Sequence, residues 1–276
     1  MAHHDHPPLT DAIEQAARDA SLDDVRVLAE RILGVARTHA VALVLCSAVV
    51  LVPLSLAKSV MWTVLMAPAR AVADTSSAAS VVTTLLALAA TVLANVMLHG
   101  LALPLAQSAL TLQAGDLACG GAGDWQTAWR RMLARLPVLL GAVVSAGLLV
   151  AFGTVLFVVP GLIAALLLSF VAPVALFEGK SWLAALERSV RLVAADWVRV
   201  AVVFVGIAVA TAVVRFVLGF GLSPLGFFGS LVDDLVLLVT VPLQAVAGVL
   251  LYVEARERED GFDEDDLRVA VERGAP

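Results

Sequence analysis

The sequence predicts an all-α, polytopic membrane protein, and two observations carry this prediction. Hydrophobic residues make up 61% of the 276 residues, and the mean hydropathy is +0.94. A soluble domain could not hide so much apolar surface. Six apolar segments also approach the ~20 residues that an α-helix needs to cross ~30 Å of hydrocarbon. The segments are rich in Ala, Val and Leu without alternation, so helices are favoured over a membrane barrel.

The six segments form three predicted hairpins of transmembrane helices. The fourth segment is the shortest and contains Pro173. Only Val159-Pro160-Gly161 separates the third from the fourth. This predicts a tight turn there, because proline fixes φ and glycine tolerates positive φ. The predicted spans are 40–60, 81–103, 138–158, 161–178, 198–218 and 231–252.

The basic residues predict the orientation of these spans. With six spans, all but three of the 18 lysines and arginines fall on one side, and the exceptions are Lys58, Arg70 and Arg215. The positive-inside rule places the basic side and both termini in the cytoplasm. Five or seven spans would mix the two sets. We therefore predict a multi-pass protein of the bacterial inner membrane, with its first span acting as an uncleaved signal anchor.

Three regions follow from this topology: a cytoplasmic amphipathic segment at 1–38, a membrane domain at 39–253 and an acidic cytoplasmic tail at 254–276. The last region contains nine acidic residues and four arginines. Neither terminal region has the length or the apolar content of a soluble domain. All five tryptophans and Tyr252 fall near predicted span ends, as in an aromatic belt.

A stretch with helical periodicity precedes each hairpin, and we expect these stretches to lie along the headgroup layer as amphipathic helices. Asp124 and Ser181 are placed as N-caps of the second and third. The apolar stripes are Leu22, Val25, Leu28, Ile32 and Leu33; Trp125, Ala128, Trp129, Met132, Leu133 and Leu136; and Trp182, Leu186, Val190, Val193 and Trp197.

The second and third stretches share the spacing Trp-x-x-Ala-x-x-Arg. It indicates either an internal repeat of helix plus hairpin or two interfacial helices that converge on Trp and Arg because both suit the interface. The matching residues are Trp125, Ala128 and Arg131 in one stretch and Trp182, Ala185 and Arg188 in the other.

Arginines on these two helices are candidates for binding anionic phospholipid headgroups, because a guanidinium matches phosphate oxygens. The alternative is that the charges only fix the topology and anchor the helices. In the first case the protein is a lipid-associated scaffold or an accessory subunit. The candidates are Arg130, Arg131, Arg135, Arg188 and Arg191.

Two further polar groups lie within or beside the spans. Asn95 and His99 are one helical turn apart in the second span, and they either bond between helices or form the polar site of a small-solute or lipid transporter. Arg215 ends the fifth span on the side where Asp233 and Asp234 open the sixth, which predicts a salt bridge across the hairpin or, alternatively, a substrate or ion site.

No catalytic motif occurs in the chain, and no loop has room for a soluble catalytic domain. We therefore predict no enzymatic activity, no cofactor and no metal. Cys46 lies in the first predicted span and Cys119 in a predicted cytoplasmic loop, so we predict no disulfide between them. The alternative is a membrane-embedded lipid-modifying enzyme that uses Glu178 and neighbouring arginines. Expected partners are membrane lipids, a second copy of the chain or a membrane complex, and not nucleic acid.

Residues 160–263 resemble a known family. Pro160-Gly161 opens a span, and the run Ala172-Pro173-Val174-Ala175-Leu176-Phe177-Glu178-Gly179 follows. A helix then carries Ala185, Leu186, Arg188, Ser189 and Leu192. The last span ends in Leu251-Tyr252-Val253-Glu254-Ala255-Arg256-Glu257-Arg258-Glu259-Asp260-Gly261-Phe262-Asp263. This order is similar to the membrane domain that some bacterial glycerophosphoryl diester phosphodiesterases carry ahead of their catalytic barrel, and to the stand-alone relatives of that domain.

The resemblance implies six spans and no hydrolytic activity, because the catalytic residues of those enzymes belong to the barrel, which this sequence does not contain. It covers a little over a third of the chain well. One departure is Val253-Glu254-Ala255, where a Tyr-Asp-Leu-like stretch is expected.

Overall fold

A computed structural model describes residues 22–71, 78–222, 227–262 and 264–273. The chain is all-α over these ranges, which contain no strand. The helices are α1 (Leu22–Thr38), α2 (Ala40–Ala71), α3 (Ala78–Ala118), α4 (Trp125–Ala134), α5 (Leu136–Leu156), α6 (Val158–Leu167), α7 (Val171–Phe177), α8 (Trp182–Ala195), α9 (Trp197–Leu222), α10 (Phe227–Asp260) and α11 (Glu264–Arg273).

Five helical stretches within the described residues are long and apolar enough to cross a membrane. They match the first, third, fourth, fifth and sixth predicted spans. The second predicted span lies within α3, where the described apolar stretch Ser80–Asn95 is shorter. A six-span topology therefore stays a prediction. The five stretches are Ala40–Leu65, Leu136–Leu156, Val158–Phe177, Trp197–Leu218 and Asp234–Asp260.

Helix α3 continues well past the predicted end of its span at residue 103. It runs 41 residues and passes through Pro104, which cannot donate the usual bond to the carbonyl of Gly100. The Ser108 hydroxyl donates to the Pro104 carbonyl at 2.7 Å. Beyond the proline, Ala106, Ala109 and Leu110 have no exposed surface. This extension of α3 packs into the core, so burial rather than hydrocarbon thickness sets its length.

The core lies toward one end of the bundle, where α3, α7 and α10 meet. Helices α5 and α9, in contrast, leave most of their apolar side chains exposed, as lipid-facing helices would. Fully or almost fully buried side chains at the core include Leu110 and Ala114 of α3, Val174 and Leu176 of α7, and Val246, Ala247 and Tyr252 of α10. The side chains where α3, α7 and α10 meet are therefore buried in protein, whereas most apolar side chains of α5 and α9 lie on the surface of the bundle.

The turn between α5 and α6 corrects the predicted hairpin at Val159-Pro160-Gly161. The chain turns at Phe157, whose backbone is extended, and Pro160 and Gly161 lie inside the first turn of α6. Proline is tolerated there because the N–H groups of a first turn have no helical partner. A Cβ on Gly161 would lie 2.1 Å from the Thr154 hydroxyl, so this glycine allows the two helices to approach closely.

The fourth span is broken between α6 and α7. Pro173 cannot donate to the Ser169 carbonyl, and its ring disfavours a continuous helix at that point. The Ser189 hydroxyl on α8 donates to the Leu167 carbonyl at 2.8 Å and accepts from the Phe170 N–H at 3.1 Å. A break in a membrane-spanning helix is tolerated only when the freed backbone groups find hydrogen-bond partners. Ser189 supplies them.

The region 254–276 contains more ordered structure than a predicted tail implies. Residues 254–260 extend α10, and α11 folds back on the bundle with Leu267 and Val271 buried. Val271 packs near Gly115, where a Cβ would lie 3.3 Å from the valine and 2.8 Å from the ring of Phe177. The small residue on α3 therefore makes room for α11.

Candidate functional site

Charged side chains gather at the end of the bundle that carries α4, α8, α11 and the last turns of α10. We call this the polar end. Arg188 on α8 is its centre: its guanidinium contacts Glu259 at 2.8 Å, Asp260, and Glu178 at 3.6 Å. Only 9% of the Arg188 side chain is exposed. Three carboxylates therefore surround one nearly buried cation.

Two opposing effects act on the pKa of Arg188. Burial by itself lowers the pKa, because it disfavours the charged form. The negative charges of Glu178, Asp260 and Glu259 outweigh burial, and the pKa is raised above its usual value. The guanidinium thus stays charged, and its role is that of a permanent counter-ion to the three carboxylates.

Glu178 follows α7 directly, and Gly179 turns the chain away from the helix with a φ of 62°. The Oε1 atom of Glu178 accepts a hydrogen bond from the Tyr252 hydroxyl at 3.0 Å, and its Oε2 lies 2.8 Å from the Lys180 ammonium. Arg188 and Arg256 stand at 3.6 and 3.7 Å. Both carboxylate oxygens are therefore engaged by groups of the protein itself.

Tyr252 is fully buried, which corrects its predicted place in an interfacial aromatic belt. Its ring packs against Phe170 and Phe177, with centroids 6.0 and 5.8 Å away. Its hydroxyl reaches Glu178, so the polar end of this side chain is satisfied inside the protein. The sequence position near a span end is the same for a belt and for a core tyrosine.

Arg256 links this cluster to the segment after α10. Its guanidinium lies 3.8 Å from the centroid of the Phe262 ring and 3.2 Å from Asp260. A cation over an aromatic face is attracted by the ring quadrupole. Phe262 is itself buried. The arginine thereby holds the chain where it leaves α10 and turns toward α11.

A second pair of ionic contacts lies beside the first cluster. Arg199, at the start of α9, contacts Glu254 at 2.8 Å, and Arg258 contacts Asp196. Arg199 is almost fully buried, and its Nε has no hydrogen-bond partner. A cleft of about 570 Å³ opens between the α8–α9 junction and the end of α10, and Arg199 and Arg258 line it.

Three of the five predicted headgroup arginines point into the protein. Arg188 lies among carboxylates as described above. Arg131 donates to the Val271 carbonyl at 3.2 Å, and Arg135 donates to the Leu176 carbonyl in the last turn of α7. A cation near the last carbonyls of a helix is favoured by the helix dipole. These three side chains therefore join segments of the chain to one another.

The other two predicted headgroup arginines lie on the surface. Arg130 is exposed on α4. Arg191 is exposed on α8 and contacts Glu187 at 2.9 Å, one helical turn away. An exposed pair of this kind contributes little to stability, because water screens it. Both guanidinium groups are accessible to a ligand.

The predicted apolar stripe of α8 is divided between the surface and the bundle. Trp182 and Val190 are 43% and 37% exposed, whereas Leu186 is half-buried and Val193 is fully buried. Trp197 begins α9 and is 47% exposed. The face against the bundle carries Ala185, Leu192 and Val193, together with Arg188 and Ser189. Around the helix axis, Arg188 lies closer to the buried Ala185 than to the exposed Glu187. The arginine therefore belongs to the face that packs against the bundle.

Toward the opposite end of the bundle, an ion pair joins α10 to α2. Asp234 contacts the Lys58 ammonium at 2.5 Å and accepts a hydrogen bond from the Ser55 hydroxyl at 2.7 Å. Arg215 is exposed, and the side chain of Asp233 lies outside the described residues. The predicted bridge from Arg215 to Asp233 or Asp234 stays a prediction, while Asp234 takes its described partners from α2.

The predicted polar pair in the second span is described only in part. Asn95 is half-buried on α3, and the side chain of His99 lies outside the described residues. The transporter hypothesis therefore stays a prediction. Within the described residues, no three His, Cys, Asp or Glu side chains converge in a way that would hold a metal ion.

The residues of the polar end are largely those that carry the family resemblance. Phe177, Glu178 and Gly179 come together with Tyr252, Arg256 and Asp260, and Arg188 and Ser189 lie between them. Sequence reasoning assigned no common site to these runs, because more than 70 residues separate them. The acidic and basic residues after Tyr252 were a signal that could have found the cluster, since a span that ends in alternating charges needs partners.

The comparisons with known proteins return no match. No family model, curated protein or solved structure matches this chain.

Proposed function

We propose that this protein is a non-enzymatic integral membrane protein of the bacterial inner membrane that binds anionic phospholipid at its cytoplasmic face, as a lipid-associated scaffold or an accessory subunit. In this proposal it crosses the membrane six times and keeps both termini in the cytoplasm. The observation that carries the proposal is the exposed side of α8, where apolar and basic side chains lie next to each other at the polar end.

The exposed side of α8 has the composition of a membrane interface. Trp182 and Val190 are exposed on α8, and the Arg191 guanidinium lies on the same helix. Trp197, which is also exposed, begins α9 directly after it. Tryptophan prefers the headgroup layer, and an arginine near an anionic leaflet contributes on the order of 1 kcal/mol. Arg130 adds a second exposed guanidinium from α4. Together they support contact with phosphate groups.

The surroundings of Glu178 support a structural rather than a catalytic role for this residue. The rival hypothesis, a lipid-modifying enzyme, needs a free carboxylate at the membrane surface. Tyr252 and Arg256 occupy one oxygen of Glu178, and Lys180 and Arg188 occupy the other. These contacts hold the carboxylate within the protein and stabilise its charged form, which favours a structural role. Turnover of a phospholipid or glycerophosphodiester that disappears in Glu178→Gln would contradict this proposal.

A lipid-binding assay tests the proposed function. The purified protein, stripped of lipid in detergent, is mixed with equal amounts of phosphatidylglycerol and phosphatidylcholine, and bound lipid is counted by native mass spectrometry. We expect preferential retention of phosphatidylglycerol, and a loss of that preference in the double variant Arg130→Gln/Arg191→Gln. Arg215→Gln is the matched control, because it removes an exposed arginine near the other end of α9.

The lysine variants separate specific binding from simple attraction. Arg130→Lys/Arg191→Lys keeps both charges but removes the guanidinium fork. Specific headgroup binding predicts that these variants have a reduced preference for phosphatidylglycerol. Attraction by charge alone predicts that the preference is unchanged. Equal retention of phosphatidylglycerol and phosphatidylcholine by the unmodified protein would overturn the proposal outright.

The topology is tested separately. Reporter fusions at Ser77, which lies outside the described residues, and at the C terminus should report opposite sides of the membrane. Equal signals from both positions would contradict six spans with cytoplasmic termini.

A further inference from the structure

We infer that the cleft between the α8–α9 junction and the last turns of α10 binds one phospholipid headgroup that contains both a phosphodiester and a primary amine. The inference rests on the proposed function in one respect only, namely that the polar end meets the headgroup layer. It differs in the ligand: the exposed arginines of α4 and α8 contact an anionic surface, whereas this cleft selects a zwitterion.

The cleft has the size and the depth that a headgroup requires. Its volume is about 570 Å³. It lies where two apolar stretches reach their polar ends, since Trp197 begins one stretch and Asp260 ends the other. Leu192, Val198 and Ala255 supply apolar lining, and Trp197 is 47% exposed beside them. A lipid whose chains lie along α9 would therefore place its headgroup in the cleft.

The phosphodiester has three donors at this site. Arg199 lines the cleft and is nine-tenths buried; one of its terminal nitrogens contacts Glu254 at 2.8 Å, and its buried Nε has no hydrogen-bond partner. The Arg258 side chain is 53% exposed and can turn toward a ligand. The first turn of α9 leaves main-chain N–H groups without helical partners, and such groups favour phosphate.

The charge balance of the cleft selects the rest of the headgroup. The charged lining consists of two arginines, Arg199 and Arg258, and two carboxylates, Asp196 and Glu259. The net charge of this lining is zero, and its carboxylates are paired within the protein, Asp196 with Arg258 and Glu259 with Arg188. A purely anionic headgroup that takes Arg258 would therefore leave Asp196 without its counter-charge. A zwitterion places its phosphate at the arginines and its ammonium at the carboxylates. Both halves of the lining are then used.

The amine should be primary. A primary ammonium has N–H donors for carboxylate oxygens, whereas a trimethylammonium group has none. Asp196 and Glu259 are partly exposed, so their remaining acceptor positions are accessible. The indole of Trp197 adds an aromatic face near the same carboxylates. Phosphatidylethanolamine is the simplest lipid with this chemistry.

Native mass spectrometry of the full-length protein tests the inference with three probes: phosphatidylethanolamine, phosphatidylcholine and phosphatidylglycerol, supplied in equal amounts. We expect the unmodified protein to hold phosphatidylethanolamine about tenfold better than phosphatidylcholine. The double variant Asp196→Asn/Arg258→Gln should lose this discrimination. It removes both members of an ion pair, so no charge is left unpaired at the cleft.

The matched control is Arg26→Gln/Glu30→Gln, which removes an exposed ion pair of α1 and does not touch the cleft. It should keep the tenfold discrimination. Asp196→Asn alone is the second variant should the double variant unfold, and it should reduce the discrimination because an amide does not carry the charge that attracts the ammonium.

Three outcomes would overturn the inference. One is equal retention of phosphatidylethanolamine and phosphatidylcholine by the unmodified protein. Another is unchanged discrimination in the cleft variants. The third is preferred binding of phosphatidylglycerol that the cleft variants lose, since the cleft would then take an anion. A preference for phosphatidylethanolamine without any preference for phosphatidylglycerol would contradict the proposed function alone.

Discussion

Helices α4 and α8 share the Trp-x-x-Ala-x-x-Arg spacing, and the structure directs the shared alanine and arginine of each helix toward the bundle, whereas Trp125 is half-buried and Trp182 is 43% exposed. Ala128 and Ala185 are both buried against the bundle. Arg131 and Arg188 both contact one of the last two helices: Arg131 binds α11, and Arg188 binds the last turn of α10. The correspondence extends one residue further, to Met132 and Ser189, which are both completely buried.

The two helices differ in what the equivalent residues contact. Arg131 donates to a main-chain carbonyl, whereas Arg188 lies among three carboxylates. Met132 packs in the core, whereas Ser189 bonds the broken backbone between α6 and α7. The same spacing therefore directs side chains to the same places, and the partners supplied by other segments decide how much each contributes.

Arg188→Ala should have the largest effect on stability. It removes a nearly buried cation that Glu178, Glu259 and Asp260 share, and breaking a buried pair costs about 3–5 kcal/mol. Lys180 and Arg256 remain beside Glu178, and Arg256 remains beside Asp260, so the loss should lie at the lower end of this range. The measurement is the free energy of unfolding in mixed detergent, followed by circular dichroism. Arg191→Ala on the same helix is the control, with a loss of roughly 0.5 kcal/mol or less. Similar losses for the two variants would show that the contacts of Arg188 with the carboxylates contribute little to the free energy of unfolding.

Ser189→Ala should come second. The variant removes a donor to the Leu167 carbonyl and an acceptor for the Phe170 N–H, and a buried unsatisfied group costs about 1–3 kcal/mol. The same unfolding assay applies. Hydrogen exchange at Phe170 should also become faster, whereas amides in the middle of α5 should not change. Unchanged exchange at Phe170 would mean that the broken helix finds its partners elsewhere.

Arg131→Ala should cost less, about 1 kcal/mol, because the side chain is only partly buried and makes a hydrogen bond to a carbonyl rather than contacts with charges. The expected structural result is looser docking of α11. Limited proteolysis should therefore cut within 264–273 faster in this variant than in Arg130→Ala, its exposed neighbour. Equal cleavage rates would separate Arg131 from the docking of α11.

The N-caps should give the smallest difference. Asp124 accepts from the N–H of Gln126 and of Thr127, whereas Ser181 makes no side-chain hydrogen bond to α8. Asp124→Ala should therefore destabilise its helix slightly, and Ser181→Ala should not. The prediction for Asp124 is confirmed as a cap by its geometry, and the prediction for Ser181 is right in position only.

The Asp124 cap also carries a pH dependence. Hydrogen bonds from Thr127 lower the pKa of the Asp124 carboxyl below its usual 3.8. A lowered pKa in the folded state adds stability that is present above pH 3.8 and is lost as the pH falls through the lowered value. The stability difference between the unmodified protein and Asp124→Ala should disappear at acidic pH. A difference that persists there would assign the effect to helix propensity instead.

Local physical chemistry made several features predictable from the sequence. The apolar runs placed five of the described membrane-length helices, because hydrocarbon thickness and helix rise depend on no partner. The cap at Asp124 was predictable for the same reason, since its partners lie two and three residues away. The spacing shared by Ala128 and Ala185 was visible in the sequence, and whether it reflects an internal repeat or two interfacial helices of similar composition stays open.

Other features depend on contacts between distant segments, and only the tertiary structure decided them. Arg188 was predicted to face lipid, but its partners Glu259 and Asp260 are more than 70 residues away along the chain. Asp234 takes Lys58 from α2 and not a residue that the hairpin made obvious. The chain turns at Phe157, and Gly161 allows α5 and α6 to approach closely beside this turn. A pattern of charges tells how polar a helix face is, but the angle at which the helix packs decides whether that face meets lipid, water or another charge.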